Sequence, residues 1–134
     1  MPRLRFAVTD VFTTRRFCGN PLAVVLGADG LDIAQMQAVA REFGFSETSF
    51  VMRPEDPAHS AKVRIFTPAT EVPFAGHPNI GTAFVVAREM AAPPARLVFE
   101  EAAGLVPLDI LSEGGTVTGA RLTAPEPLST GATC

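Results

Sequence analysis

Hydrophobic and polar residues alternate with a period of two in several short stretches of the chain, and in two longer stretches they take helical spacing. From Leu4 to Phe12, Leu4, Phe6 and Val8 fall on one face and Arg3, Arg5, Ala7 and Thr9 on the other, which predicts a strand. A turn cluster from Thr13 to Pro21 contains Gly19-Asn20-Pro21. The apolar run Leu22 to Leu26 then predicts a second strand, closed by Gly27-Ala28-Asp29-Gly30. Thr48 to Arg53 and Ala61 to Phe66 read as strands on either side of Pro54-Glu55-Asp56-Pro57. Beyond Pro93-Pro94, Arg96 to Glu100, Gly104 to Leu111 and Thr116 to Leu122 predict further strands, the last two joined at a Gly114-Gly115 turn.

The first helical stretch carries its own start and stop signals. Asp32 stands where an N-cap belongs, with Gln35 at the capping-box spacing, and Ile33, Met36, Val39, Ala40 and Phe43 form one apolar stripe ended by Gly44. Thr67 to His77 reads as loop, because Pro68 and Pro73 interrupt it. Pro78 then opens a second helix, to about Met90, at a position where its missing N–H costs nothing. That helix is apolar or small on nearly every face for two turns, which predicts burial on all sides. Rolling a sheet about it is the simplest way to achieve this. The expectation is an α+β fold: one lobe over residues 1–122, a curved sheet or barrel wrapped around a central apolar helix. Residues 123–134, rich in Pro, Ser, Thr and Gly, read as a tail or the start of a linker.

Composition narrows the class. With 134 residues, 47% hydrophobic and 19% charged, the chain has enough apolar material for one real core and is no disordered segment. A mean hydropathy of +0.25 is high for a soluble domain and leaves room for apolar surface covered by something else. Net charge is -3, Lys62 is the one lysine, and Trp and Tyr are absent, so nucleic acid is an unsuitable partner. The start of the chain lacks a signal-peptide apolar run. The longest uncharged stretch, Val72 to Ala87, is too short and too broken by prolines to span a bilayer. Cys18 and Cys134 form neither a disulfide framework nor a metal-ligand spacing. These features predict a cytoplasmic protein without membrane partners.

Candidate chemistry concentrates between Thr67 and Gly81. Gly76 permits close backbone approach, and His77 takes the N-cap position of the buried helix. The N–H groups of Asn79, Ile80 and Gly81 would then lack intrahelical partners and offer a site for a carboxylate. His77 would either donate to such an anion and move a proton, or merely cap the helix. Glu47, at a helix-to-strand junction, is either solvated or, with Phe45, Phe50 and Val51 nearby, desolvated enough for general acid/base work. Glu71 reads as a loop carboxylate paired with an arginine. Cys18, near Arg15 and Arg16, reads as a small half-buried residue before a reactive thiol. His59 reads as solvated in a polar loop. Dinucleotide, phosphate-loop, nucleophile-elbow and zinc-site motifs are absent.

Five blocks, in order, resemble the PhzF-like (phenazine-biosynthesis type) isomerase family: Gly19-Asn20-Pro21-Leu22-Ala23-Val24-Val25; Met36-Gln37 with Ala40-Arg41-Glu42; Ser46-Glu47-Thr48 with Phe50-Val51; Arg64-Ile65-Phe66-Thr67-Pro68; and Glu71-Val72-Pro73-Phe74-Ala75-Gly76-His77-Pro78 with Gly81-Thr82-Ala83. The resemblance runs from about Leu4 to about Pro127. It implies a diaminopimelate-epimerase-like fold of two similar lobes, with the active site in the cleft between them. It also implies isomerisation of trans-2,3-dihydro-3-hydroxyanthranilate by hydrogen movement, with no metal or organic cofactor. By that resemblance Glu47 is the general acid/base, and Gly76 and His77 serve substrate binding and proton handling. Racemases of the same fold use a pair of cysteines; this chain has Ala75-Gly76-His77 at the corresponding place, which disfavours a two-thiol mechanism. The family chain is about twice as long. Its second lobe, with an Asp-containing Gly-Ser motif, and its returning C-terminal strand have no counterpart here.

Two readings follow. In the first, the chain is the N-terminal lobe of a cofactor-independent isomerase or epimerase acting on a small carboxylate-bearing metabolite. It would be completed by a second lobe or by another copy of itself in a homodimer. In the second, it is a non-catalytic module that binds small anions or another protein.

Overall fold

The computed structural model describes residues 5–11, 20–73, 76–90, 92 and 94–122. Cys18, Cys134 and the 123–134 tail lie outside them. The elements run β1 (Arg5–Val11), β2 (Asn20–Leu26), a short 3-10 turn at Ala28–Gly30, α1 (Ile33–Phe43), β3 (Glu47–Met52), β4 (Ala61–Phe66), β5 (Glu71–Val72), α2 (Gly76–Glu89), β6 (Arg96–Glu101), β7 (Gly104–Glu113) and β8 (Thr116–Leu122).

All the strands join one mixed sheet in the order β1-β2-β3-β4-β6-β7-β8, with β5 beside β4. The two parallel pairs, β2 with β3 and β4 with β6, are those whose connection carries a helix, because parallel neighbours need a long crossover. The other pairs are antiparallel, and β7 and β8 close through Gly114 and Gly115, both at positive φ. Helix α2 touches both end strands, β1 and β8, as well as β2, β3 and β7. A flat sheet would hold those ends about 29 Å apart at about 4.8 Å per strand, well beyond a helix width of about 10 Å. The sheet is therefore curled into a half-barrel.

Alternation divides the apolar residues between two faces. Leu22 and Val24, Val51, Val63 and Ile65, Leu97 and Phe99, and Leu108 pack with Ala83, Val85 and Ala87 of α2. Val25, Phe50 and Phe66 turn the other way, toward Met36 and Ala40 of α1. Every α2 position from Pro78 to Ala87 is buried or half-buried, and only Arg88 and Glu89 emerge at its end. Helix α1 has the expected capping box between Asp32 and Gln35, and Gly44 ends it at φ 68.

Two expectations need correction, and two apolar faces are assigned by the structure. Phe6 and Val8 are 58% and 50% exposed, and it is Ala7 of β1 that meets the core; Phe6 instead rests edge-on against Phe43, 5.2 Å between centroids. Ile33, placed on the apolar stripe of α1, is 52% exposed, while Met36 and Ala40 further along that stripe are buried. The stretch from Thr67 to His77 is not all loop, since Glu71 and Val72 pair with Phe66 and Ile65. Finally, α2 begins at Gly76 rather than Pro78. Proline fits at its third position too, because no N–H of the first turn has an intrahelical partner.

Candidate functional site

Glu47 opens β3, opposite Leu22 of β2. Successive strand residues point to opposite faces, so Glu47 shares its face with Ser49 and Val51. That face is the α2 face: the Ser49 hydroxyl lies 2.6 Å from the Thr82 hydroxyl, both fully buried. Thr82 in turn donates to the Pro78 carbonyl, so the proton shared with Ser49 comes from Ser49.

The helix direction follows from its other end. Glu89 pairs with Arg5 at 2.8 Å, and Arg5 is level with Leu26, at the Val51 end of β3. The start of α2 therefore points toward the Glu47 end. From Ser49 back to Glu47 is about 6.6 Å of strand, and from Thr82 back to His77 about 7.5 Å of helix. By these lengths the first turn of α2 lies on the Glu47 side of the Ser49–Thr82 contact, while Asn79 of that turn bonds Glu101 of β6.

Because α2 starts at Gly76, its open N–H donors are those of Gly76 and His77. The N–H groups of Ile80 and Gly81, expected to be free, face the carbonyls of Gly76 and His77 one turn back. Asn79 is fully buried, Gly81 is buried and Ile80 packs against the core, so the side chains here serve the interior. Of the residues expected to desolvate Glu47, Phe50 lies on the opposite face against Phe66, whereas Val51 shares the Glu47 face. Phe45 is stacked on Phe43. Glu47 is half-buried.

The approach to α2 is braced. Gln37 of α1 donates to the carbonyls of Thr67 and Pro68 at 2.9 and 3.1 Å, and the Thr67 hydroxyl accepts from the N–H groups of Ala69 and Thr70. Arg64 then grips Glu71 through two 2.8 Å bonds, tying β5 to β4. Glu71 is thus the arginine-paired carboxylate expected of it, and this bond, with the charge behind it, pushes the Arg64 guanidinium above its ordinary value.

Two acids at the end of β6 were not anticipated. Glu100 accepts from the N–H groups of Glu55 and Asp56 and lies 2.6 Å from His59 Nδ1, so His59 is partnered rather than solvated. These bonds, His59 first, hold the Glu100 carboxyl down to about 2. Glu101 follows Leu97 and Phe99 on the inward face and accepts from Asn79 Nδ2 at 3.2 Å. Burial pushes its carboxyl up to about 7, against the pull of that bond. A period-two reading carried one step further, from Leu97 and Phe99 to Glu101, would have found an acid at a core position. A cavity of about 600 Å³ lies beside these acids, lined by Arg64, Glu71, Glu101 and Leu105 among others, and not by Glu47. It opens where β4 leaves β6, since the two pair only at Ala61 and Lys62.

Among the described residues no group of three or more His, Cys, Asp or Glu could hold a metal ion, and no helix is long and apolar enough to cross a membrane. The first turn of α2 presents the N–H groups of Gly76 and His77, and a helix start of this kind can hold an anion.

Comparison with known proteins bears on this geometry. Residues 9–130 match the profile of the PhzC-PhzF family, described as phenazine biosynthesis-like protein. The chain is 40% identical over 123 residues to a trans-2,3-dihydro-3-hydroxyanthranilate isomerase of Pseudomonas aeruginosa, covering 92% of this chain and 43% of that one. It is 55% identical over 87 residues to an uncharacterized isomerase of Mesorhizobium japonicum, covering 65% of this chain and 29% of that one. The structure of a predicted epimerase from Pseudomonas aeruginosa superposes with a TM-score of 0.75 at 34% identity, over 88% of this chain and 41% of the other. This chain therefore spans less than half the length of the relatives it matches.

Proposed function

Since this chain belongs to the phenazine-biosynthesis-like (PhzC-PhzF) family, we propose that it is the first lobe of an isomerase that moves a proton within a small carboxylate-bearing metabolite. In this reading the sheet curled about α2 is one of two lobes, and the substrate lies where the second lobe meets the Glu47 end of the first. The Gly76 and His77 N–H groups and the positive end of α2 hold the substrate carboxylate. The Glu47 carboxylate takes a proton from one substrate carbon and returns it to another, so composition is unchanged and no external acid is consumed.

The observation that carries the reading is the buried Ser49–Thr82 hydroxyl contact. It holds α2 against β3 two residues from Glu47, which supports reading the helix start and Glu47 as parts of one site.

Solvent-deuterium incorporation tests it. With the two-lobed protein in D2O and trans-2,3-dihydro-3-hydroxyanthranilate as probe, Glu47→Gln is expected to slow deuterium entry by roughly 10²-fold or more while leaving the probe bound. His77→Ala is expected to weaken binding. Deuterium entering at an undiminished rate in Glu47→Gln removes the proton shuttle from this residue.

A further inference from the structure

Asn79 and Glu101 make an unfinished pair. Asn79 Nδ2 donates to Glu101 Oε1 at 3.2 Å. The other two oxygens, Asn79 Oδ1 and Glu101 Oε2, are buried without a partner. A primary amide and a carboxylic acid have complementary edges: the amide donates to one acid oxygen while the acid O–H donates to the amide oxygen. A carboxylate cannot do the second, and a single proton on Oε2 would satisfy both buried oxygens together. Leaving them bare costs more than the bond itself gains.

The surrounding charges do not oppose that proton. Of the groups lining the neighbouring cavity, Arg64 is bidentate with Glu71, Lys62 pairs with Glu55 and His59 pairs with Glu100. Asp56 accepts from the Ala58 N–H. On β7, Glu101 lies opposite Gly104, and the charged Asp109 sits at the far end with Arg96 and Arg121. Every described cation near Glu101 is thus already engaged, and burial raises its carboxyl to about 7.

We propose that Glu101 is a positioning residue for the start of α2: protonated, it closes a two-way hydrogen-bonded pair with Asn79 and so holds the turn that bears Gly76 and His77. This rests on the reading of that turn as the carboxylate-binding end. Asn79 is three residues beyond Gly76, on the same first turn, and Ser49–Thr82 fastens the next turn to β3. The Glu101 tether fastens the first turn to β6. Ionisation of Glu101 breaks one arm of the pair and loosens the donors at the helix start.

The test follows anthranilate affinity from pH 5.5 to 8.5 in the two-lobed protein, alongside carboxyl carbon NMR of Glu101. Wild type is expected to bind several-fold more weakly above pH 7, with the Glu101 signal titrating over the same range. Glu101→Gln keeps an amide donor at all pH values and is expected to flatten that profile; Glu101→Ala is expected to bind weakly throughout. A wild-type profile unchanged by Glu101→Gln, or a Glu101 signal that titrates below pH 5, overturns the positioning role alone. Absence of anthranilate binding in wild type at every pH overturns the carboxylate-site reading and the positioning role with it.

Discussion

Ser49 and Thr82 share one hydrogen bond but do not depend on it equally. Thr82 keeps its bond to Pro78 whatever happens to Ser49, whereas Ser49 donates only to Thr82 among its described contacts. Ser49→Ala is therefore expected to cost about 1 kcal/mol, and Thr82→Val, which strands a buried hydroxyl, up to about 3 kcal/mol. The double variant should be no less stable than Thr82→Val, because removing the Ser49 hydroxyl as well leaves nothing unpaired. Urea unfolding of the three variants measures this order. Glu101 supplies a second residue-scale expectation, this one in pH. Its carboxyl loses a proton near 7 when folded and near the ordinary 4.5 when unfolded. Between those values the folded chain binds more protons, so stability falls as pH rises through the window and stays lowered above it. The loss is at most about 3 kcal/mol. Melting temperatures of wild type and Glu101→Gln should accordingly diverge from pH 4.5 to 7, the variant gaining, and run parallel beyond.

Among the elements, the segment between β3 and β4 is clamped to β6 by one carboxylate. Glu100 receives two backbone N–H groups and His59 from that segment. Replacing Glu100 with Ala is expected to speed hydrogen exchange at the Glu55 and Asp56 amides roughly tenfold or more, readable by mass spectrometry. The folded carboxyl lies below its ordinary value, so what it lends is present above 4.5 and lost as pH falls through about 2. No sequence pattern announced this clamp, because its partners are 41 to 45 residues from Glu100. Local signals fared better. The Asp32–Gln35 box, the Gly44 stop and the β4 limits all depend on neighbours within a few residues, and all were legible. Strand β5 and the start of α2 were not, because Pro68 and Pro73 read as interruptions and Pro78 read as the first helical residue. Strand pairing and an unsatisfied first turn tolerate such prolines. The same limit applies to the site. Glu47, Gly76 and His77 were legible as candidates, but the shared face of Glu47 and α2 depends on the register of three strands. The roles of Asn79 and Glu101 required knowing which residues β6 turns inward.

At the scale of the molecule, one end of the half-barrel carries the proposed site, and in the proposed reading its second wall comes from beyond the described residues. Glu47 is half-buried, and the 600 Å³ cavity lies elsewhere. The chain corresponds to 43% of the related isomerase and 41% of the related epimerase structure, so more than half of each relative has no equivalent here. A proton shuttle open to water gains little over water itself, because its field is screened and competing proton donors are abundant. The 134-residue chain alone is accordingly expected to bind anthranilate weakly and to incorporate no deuterium into the probe. Mixing it with the remaining lobe, expressed separately, should restore incorporation in proportion to the complex formed, and Glu47→Gln in this chain should abolish that restoration. If two copies complete the site instead, incorporation by this chain alone should rise with the square of its concentration, in step with a dimer seen by sedimentation. First-order activity from a sedimenting monomer would show that the wall comes from within these 134 residues, and the two-lobe requirement would fall.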